Sequence, residues 1–165
     1  MNSGLTLSAL KQSGQICMST ERIVVQRAVV DRFRPILKAT AEKVFGSAAP
    51  ALVLVNANPV AKNKTLVSDA ISKGANVLSG DPEAQESSNT RMRPIILDGV
   101  TKEMDIYMTE SFGPTVSILV VDTEEEAIEI ANDTEYGLTA SVYTEDLRRG
   151  LRVAHQIESG YVSRI

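Results

Sequence analysis

Thr115-Val116-Ser117-Ile118-Leu119-Val120-Val121 is the stretch of sequence that decides the fold class. A short, near-continuous apolar run of this kind is typical of a strand that is buried on both faces of a sheet. Such a strand requires a layer of helices on each side of it. The run therefore predicts a parallel sheet that is enclosed between two helical layers.

Working outward from this strand, helical and strand patterns alternate along the chain. Further strands are predicted at residues 23–25, 76–78, 94–97 and 139–143. Helices are predicted between residues 3 and 11, 30 and 46, 58 and 74, 123 and 133, and 144 and 160. Strands that alternate with helices form βαβ units. We therefore expect a three-layer α/β/α fold with a mostly parallel sheet.

Local signals predict where some of these helices begin. Asn58 directly before Pro59 predicts an N-cap followed by proline at the first helical position, and Thr144 predicts another N-cap. Thr123 and the glutamate three residues later form a capping box. Pro35 falls inside a predicted helix, so we expect it near the first turn or at a kink. Residues 51–55 fit either a short strand or an apolar loop, and 79–91 predict a mobile surface connection.

Composition limits the class of protein. The 165 residues correspond to one domain, and they carry 17 basic and 21 acidic side chains for a net charge of −4. No cluster of basic residues suits a nucleic-acid backbone, and no apolar run approaches the roughly 18 residues of a membrane span. No leader sequence is visible, so the cytoplasm is the expected location. With one cysteine, Cys17, and one histidine, His155, neither an internal disulfide nor a metal site is expected.

Cys17 is the first candidate for chemistry. It stands in a predicted loop, three residues after Gly14. A lone cysteine is commonly a small buried hydrophobic residue, whereas a nucleophilic thiol needs an accessible position and an activating environment. The neighbouring glycine favours the second interpretation, because it allows backbone amides to turn toward a reacting atom. The residues alone leave both interpretations open.

The second candidate is Glu110-Ser111-Phe112-Gly113-Pro114, which opens onto the buried strand. Gly-Pro is typical of a turn, and a purely structural turn is one interpretation. A carboxylate and an aromatic ring two residues apart, at the edge of a parallel sheet, equally suit the hydroxyls and the ring of a ligand. Elsewhere, His155 is expected on the surface, and the acidic residues 124–126 are explained by helix capping.

At these residues the sequence resembles the catalytic domain of the aldehyde dehydrogenase family. Gly14-Gln15-Ile16-Cys17 followed by Glu21-Arg22 is similar to the nucleophile loop, and residues 110–114 are similar to the Glu-x-Phe-Gly-Pro signature. Residues 126–128, 132, 136–138 and 140–144 are similar to the following helix and strand. The resemblance begins at Leu5, and residues 15–22 are most similar to the salicylaldehyde and vanillin dehydrogenase-like branch.

The resemblance implies oxidation of a small aldehyde to a carboxylic acid, with NAD or NADP as the cofactor. It implies that Cys17 attacks the carbonyl carbon, that the thiohemiacetal loses a hydride to the nicotinamide, and that water releases the acid. Glu110 is then expected to bind the ribose hydroxyls of the cofactor, and Phe112 to pack near the nicotinamide. Neither the aldehyde nor the choice between NAD and NADP follows from the residues.

By the same resemblance, residues 1–165 correspond to a single catalytic domain. The N-terminal cofactor domain, with the general base and the oxyanion-hole asparagine, and the C-terminal oligomerisation segment fall outside this sequence. We therefore expect the chain to need a complementing chain, or a homo-oligomer, and to be incompetent alone. The alternative is a non-catalytic, stand-alone α/β module that acts through protein contacts.

Overall fold

The computed structural model describes residues 10–46 and 48–164. Most of the helix predicted between residues 3 and 11 lies outside the described residues, and Lys11–Gly14 forms a 3₁₀ turn. The strands are β1 Arg22–Gln26, β2 Leu52–Val53, β3 Asn76–Ser79, β4 Arg91–Met92, β5 Ile95–Asp98, β6 Thr115–Val121, β7 Thr139–Val142 and β8 Tyr161–Arg164. The helices are α1 Arg27–Phe45, α2 Ala57–Ser72, α3 Asp105–Met108, α4 Glu124–Asn132 and α5 Leu147–Ala154.

The central sheet has four strands in the order β1-β6-β5-β3. The strand β6, predicted from the apolar run, pairs in parallel with β1 on one side and with β5 on the other. The edge strand β3 is antiparallel to β5. The mostly parallel sheet expected from the sequence is therefore confirmed, with one antiparallel edge.

Side chains of the two inner strands alternate between two hydrophobic clusters. Ile96 and Ile118 belong to the cluster that α1 covers, whereas Leu97 and Leu119 belong to the cluster that α2 covers. Successive side chains of a strand point to opposite faces, so the two clusters lie on opposite faces of the sheet. This arrangement confirms the three-layer α/β/α fold.

Two predicted N-caps are wrong. Helix α2 begins two residues earlier than predicted, because its N-cap is Asn56, whose side chain accepts a hydrogen bond from the Asn58 N–H at 2.9 Å. Helix α5 is capped by Asp146 and not by Thr144, because the Asp146 carboxylate accepts hydrogen bonds from the Arg148 and Arg149 N–H groups. In each case the observed cap is an Asn or Asp two residues before or after the predicted one, and its backbone has the extended conformation typical of an N-cap.

Other local predictions are resolved by the structure. Thr123 accepts a hydrogen bond from the Glu126 N–H at 3.0 Å, which confirms the capping interaction at the start of α4. Pro35 lies inside α1 and beyond its first turn, and the helix continues through it to Phe45. Residues 52–53 form a strand, because β2 pairs antiparallel with β4. No helix among the described residues is both long enough and apolar enough to cross a membrane.

The last two strands stand apart from the central sheet. β7 and β8 pair in parallel as a two-stranded sheet that is connected by α5. The apolar residues Leu147, Leu151, Ala154 and Ile157 recur at helical spacing, which predicts a buried stripe. Instead Leu147 is 69% and Leu151 39% exposed, and Ala154 and Ile157 are half-buried. Tyr161 of β8 is 65% exposed. The C-terminal unit of β7, α5 and β8 therefore presents an uncovered apolar surface.

We expect this surface to bind a hydrophobic dye or to be covered by self-association, because exposed apolar area is unfavourable in water. The double substitution of Leu147→Ser and Tyr161→Ser should lower dye fluorescence and the apparent mass in light scattering. The exposed Ile71 of α2 provides a control, since Ile71→Ser changes an apolar residue outside the unit. A strictly monomeric chain with no dye binding would contradict the expectation.

Candidate active site

Cys17 lies on the loop between the 3₁₀ turn and β1. The Ser19 N–H donates a hydrogen bond to the Ile16 carbonyl at 2.8 Å, so residues 16–19 form a turn with Cys17 at its second position. The thiol side chain is exposed. The sequence left two interpretations of Cys17 open. The interpretation as a small buried hydrophobic residue is wrong, because the thiol is accessible.

The start of the Cys17 loop is tied to the segment around β2. The Ser13 hydroxyl donates to the Val53 carbonyl at 2.7 Å, and the Gln15 side-chain oxygen accepts from the Val55 N–H at 3.0 Å. These two hydrogen bonds flank Gly14 on both sides. They fix the backbone that leads into the turn carrying Cys17.

Gly14 packs directly against the second candidate segment. It is buried and has a φ of +73°, and a methyl group at its Cα would overlap the carbonyl oxygen of Gly113. Only glycine satisfies both the left-handed backbone and this close approach. The glycine of the first motif therefore sets the distance between the Cys17 loop and residues 110–114.

Glu21 connects the other end of the Cys17 loop to the same segment. Its two carboxylate oxygens accept hydrogen bonds from the Ser111 N–H at 2.6 Å and the Phe112 N–H at 2.7 Å. Burial raises the pKa of Glu21, the two backbone hydrogen bonds oppose this shift, and the nearby charge of Glu110 adds to it. The loop that carries Cys17 is thus bound to residues 110–114 at both ends.

Asn63 holds that segment from the side of α2. Its amide nitrogen donates to the carbonyls of Ser111 and Pro59, both at 2.9 Å, and its oxygen accepts from the Thr115 hydroxyl at 2.7 Å. The side chain is fully buried, and a methyl group at Gly113 would overlap it. Both the N–H and the C=O of Ser111 are therefore held by side chains from elsewhere in the chain.

The predicted ligand-binding pair lies on this held segment. Phe112 has a φ of +46°, which is a strained conformation for a bulky residue. Its side chain is 36% exposed, and Glu110 is half-buried. The structure thus brings the loop of Cys17 together with the segment of Glu110 and Phe112, which are more than 90 positions apart in the sequence.

Arg22, the residue after Glu21, binds the end of α4. Its guanidinium donates to the carbonyls of Ile130 at 2.7 Å and Asp133 at 3.1 Å, and it lies 4.8 Å from the ring centre of Tyr107. The Tyr107 hydroxyl donates to the Asp133 carboxylate at 2.7 Å. That hydrogen bond, together with Lys102, lowers the pKa of Asp133. Arg22 therefore joins β1 to the end of α4.

Glu21 and Asn63 were not predicted as site residues, although the sequence held a signal for each. Asn63 interrupts the apolar face of α2, falling between Val60 and Val67 at helical spacing. Glu21 places a carboxylate directly before a buried strand. A polar group at a buried position requires hydrogen-bond partners, which both residues find in residues 111–115.

The histidine and the acidic run that the sequence analysis considered lie outside the site around Cys17. His155 is exposed at the end of α5, as expected. Glu124, from the acidic run at the start of α4, pairs with Arg152 at 2.8 Å and with Arg149. Within residues 10–46 and 48–164, no group of three or more His, Cys, Asp or Glu side chains is arranged to hold a metal ion.

Comparison with protein families gives one match over most of the chain. The sequence model described as "Aldehyde dehydrogenase family" matches residues 2–164. The vanillin dehydrogenase of Pseudomonas fluorescens is 39% identical over 152 residues, which cover 89% of this chain and 31% of that protein. The glutarate-semialdehyde dehydrogenase of Pseudomonas aeruginosa is 38% identical over 96% of this chain and 34% of its own length.

Solved structures show the same fold. A salicylaldehyde dehydrogenase from Pseudomonas putida G7, complexed with salicylaldehyde, is 37% identical with a TM-score of 0.85, covering 98% of this chain and 34% of that one. The NADP-dependent glyceraldehyde-3-phosphate dehydrogenase of Bacillus halodurans C-125, complexed with NADP, is 30% identical with a TM-score of 0.90, covering 99% and 34%. This chain spans about a third of the length of the relatives it matches.

Proposed function

Because the chain belongs to the aldehyde dehydrogenase family, we propose that it supplies the nucleophile and the nicotinamide-side contacts of an NAD(P)-dependent aldehyde oxidation. The substrate class is a small aldehyde, and the product is the corresponding carboxylic acid. The relatives of the vanillin and salicylaldehyde dehydrogenase branch support an aromatic aldehyde as the first substrate to test.

Cys17 is the proposed nucleophile. Its thiolate sulfur forms a bond to the carbonyl carbon of the aldehyde, and the carbonyl oxygen takes up the negative charge. The exposed thiol, at the second position of a hydrogen-bonded turn, is accessible for this attack. Loss of a hydride from the resulting thiohemiacetal gives a thioester on Cys17, which water converts to the acid and the free thiol.

Glu110 and Phe112 are the proposed cofactor-binding residues, and their surroundings fit a nicotinamide nucleotide. A half-buried carboxylate suits the two hydroxyls of a ribose, and a partly exposed phenyl ring offers a face to a planar ring. Strained backbone such as that of Phe112 is found mainly at ligand sites. When bound, the nicotinamide supplies the acceptor for the hydride.

The observation that carries this proposal is the double attachment of the Cys17 loop to residues 110–114. Gly14 contacts Gly113 at one end of the loop, and Glu21 accepts two backbone hydrogen bonds at the other. A nucleophile and a cofactor segment must be held in fixed relation for hydride transfer. No observation among the described residues favours a non-catalytic module that acts only through protein contacts.

We further propose that residues 1–165 act as a catalytic domain and that the rest of the active site comes from a complementing chain or from a further part of the same protein. The relatives are about three times as long as this chain. The contacts to the adenine and pyrophosphate, and the base that activates water, are assigned by the family resemblance to that remaining part. A cytoplasmic location and a homo-oligomer are part of the same proposal.

The chain alone is expected to bind NAD and NADP with a dissociation constant weaker than about 1 mM, because Glu110 and Phe112 address only the nicotinamide half while association keeps its full entropic cost. Isothermal titration calorimetry with each nucleotide measures this affinity, and absorbance of the reduced cofactor measures turnover with vanillin or salicylaldehyde. Micromolar affinity, or sustained turnover by the 165-residue chain, would contradict the division of the site between two parts.

A further inference from the structure

We infer that Glu21 is a positioning residue, which holds the backbone of residues 111–112 and so keeps the segment of Glu110 and Phe112 against the Cys17 loop. The inference deepens the proposed function and rests on it for the role of Glu110 and Phe112. Glu21 itself is expected to touch neither aldehyde nor cofactor.

The geometry singles out Glu21 because it uses both carboxylate oxygens on two successive backbone amides. The bonds to the Ser111 and Phe112 N–H groups measure 2.6 and 2.7 Å, and they span 90 and 91 positions in the sequence. Successive N–H groups that point to one side form an anion-binding concavity. Here the anion is a side chain of the protein, and it lies four residues after the proposed nucleophile.

The conformation that these bonds maintain is one that the segment would not adopt on its own. Phe112 has a φ of +46°, and a non-glycine residue stays there only when its surroundings hold it. Glu21 holds the amide side of Ser111, while Asn63 holds its carbonyl oxygen. Removing Glu21 leaves Asn63 in place but frees the Phe112 N–H, so the orientation of the aromatic ring is no longer fixed.

The surroundings of Glu21 oppose its ionisation. Burial raises the pKa of Glu21, and Glu110 is the neighbouring charged group that raises it further. A carboxyl group with a raised pKa in the folded state adds stability at low pH, and that stability is lost as the pH rises through the folded-state pKa. Folding therefore disfavours ionisation of Glu21 relative to the protonated form, and the ionised carboxylate is the form in which both oxygens are free to accept hydrogen bonds.

The experiment follows the Ser111 and Phe112 amides by NMR in the 165-residue chain. In Glu21→Gln, the side chain keeps its shape but offers one oxygen and an NH2 group, so only one of the two N–H groups retains an acceptor. Hydrogen exchange of at least one of these two amides should accelerate by at least about tenfold. The amides of β6 serve as the internal reference for an intact fold, and Glu145→Gln, at an exposed position, is the control variant.

A pH titration of the same amides adds a signature that a general packing role would not give. In the unmodified chain, the Ser111 and Phe112 amide shifts should follow the protonation of Glu21, with a midpoint above the ordinary glutamate value. The Glu21→Gln variant should lose this titration while the Glu145→Gln variant keeps it.

Unchanged exchange and unchanged titration of Ser111 and Phe112 in Glu21→Gln would overturn the inference. The two proposals are tested separately. If these amides depend on Glu21, but Glu110→Gln leaves the nucleotide KM unchanged in a hybrid whose other two thirds come from the Pseudomonas fluorescens relative, then the positioning role stands and the cofactor assignment of Glu110 falls.

Discussion

Replacing Cys17 with serine is expected to reduce acylation of the chain by 4-nitrophenyl acetate by at least about 10³-fold, the scale of loss seen when a catalytic nucleophile is removed. An activated ester needs only a nucleophile, so the isolated chain can undergo a single acylation without a cofactor. The accessible thiol on its turn is the group that fits this reaction. Serine in the same place keeps the shape but has a far less acidic hydroxyl.

The measurement is the burst of nitrophenolate in stopped-flow absorbance, followed by mass spectrometry of peptides to locate the acetyl group. Met18→Leu is the control, because it changes the exposed neighbour of Cys17 and leaves the thiol in place. Iodoacetamide should label Cys17 in the folded protein. An equal burst in Cys17→Ser, or labelling of Cys17 only after unfolding, would show that this thiol is not the nucleophile.

Replacing Gly14 with alanine is expected to lower the free energy of unfolding by about 2–5 kcal/mol. One part of this loss, about 1–2 kcal/mol, comes from a side chain in the left-handed region at φ +73°. The other, about 1–3 kcal/mol, comes from the overlap of the new methyl group with the Gly113 backbone. The overlap should also separate the Cys17 loop from residues 110–114.

Gly99→Ala separates the two contributions. Gly99 has a φ of +75°, nearly that of Gly14, but a methyl group there meets no heavy atom within 4 Å. Urea unfolding of both variants should therefore show a loss of about 1–2 kcal/mol for Gly99→Ala and a clearly larger one for Gly14→Ala. Equal losses would mean that the contact between Gly14 and Gly113 does not contribute to the stability of the site.

The sequence predicted the fold where periodicity was strong and local. The apolar run of β6 indicated a strand buried on both faces, and the structure places its side chains in two separate clusters. Prediction was weaker where two neighbouring residues compete for one role, as Asn56 and Asn58 do at the start of α2. The predicted burial of Leu147 and Leu151 was wrong, because periodicity shows which residues share a face of a helix but not whether another element covers that face.

For the candidate site, the sequence indicated Cys17, Glu110 and Phe112, while the contacts that join their segments were not predicted. The hydrogen bonds of Glu21 link residues about 90 positions apart, and no local pattern specifies such pairs. Asn63 likewise acts across 48 and 52 positions. Long-range polar contacts of this kind depend on the finished packing of the sheet and its helices.

The measurement that tests the central claim most directly is aldehyde oxidation by a hybrid enzyme, which is made by exchanging a segment of a relative. The matching third of the Pseudomonas fluorescens vanillin dehydrogenase is replaced by this chain, so that the relative supplies the remaining two thirds. We predict that the hybrid forms reduced cofactor from an aromatic aldehyde and that Cys17→Ser in the hybrid abolishes this activity. A folded hybrid that binds the nucleotide but oxidises no aldehyde, or one that is equally active with Cys17→Ser, would contradict the account.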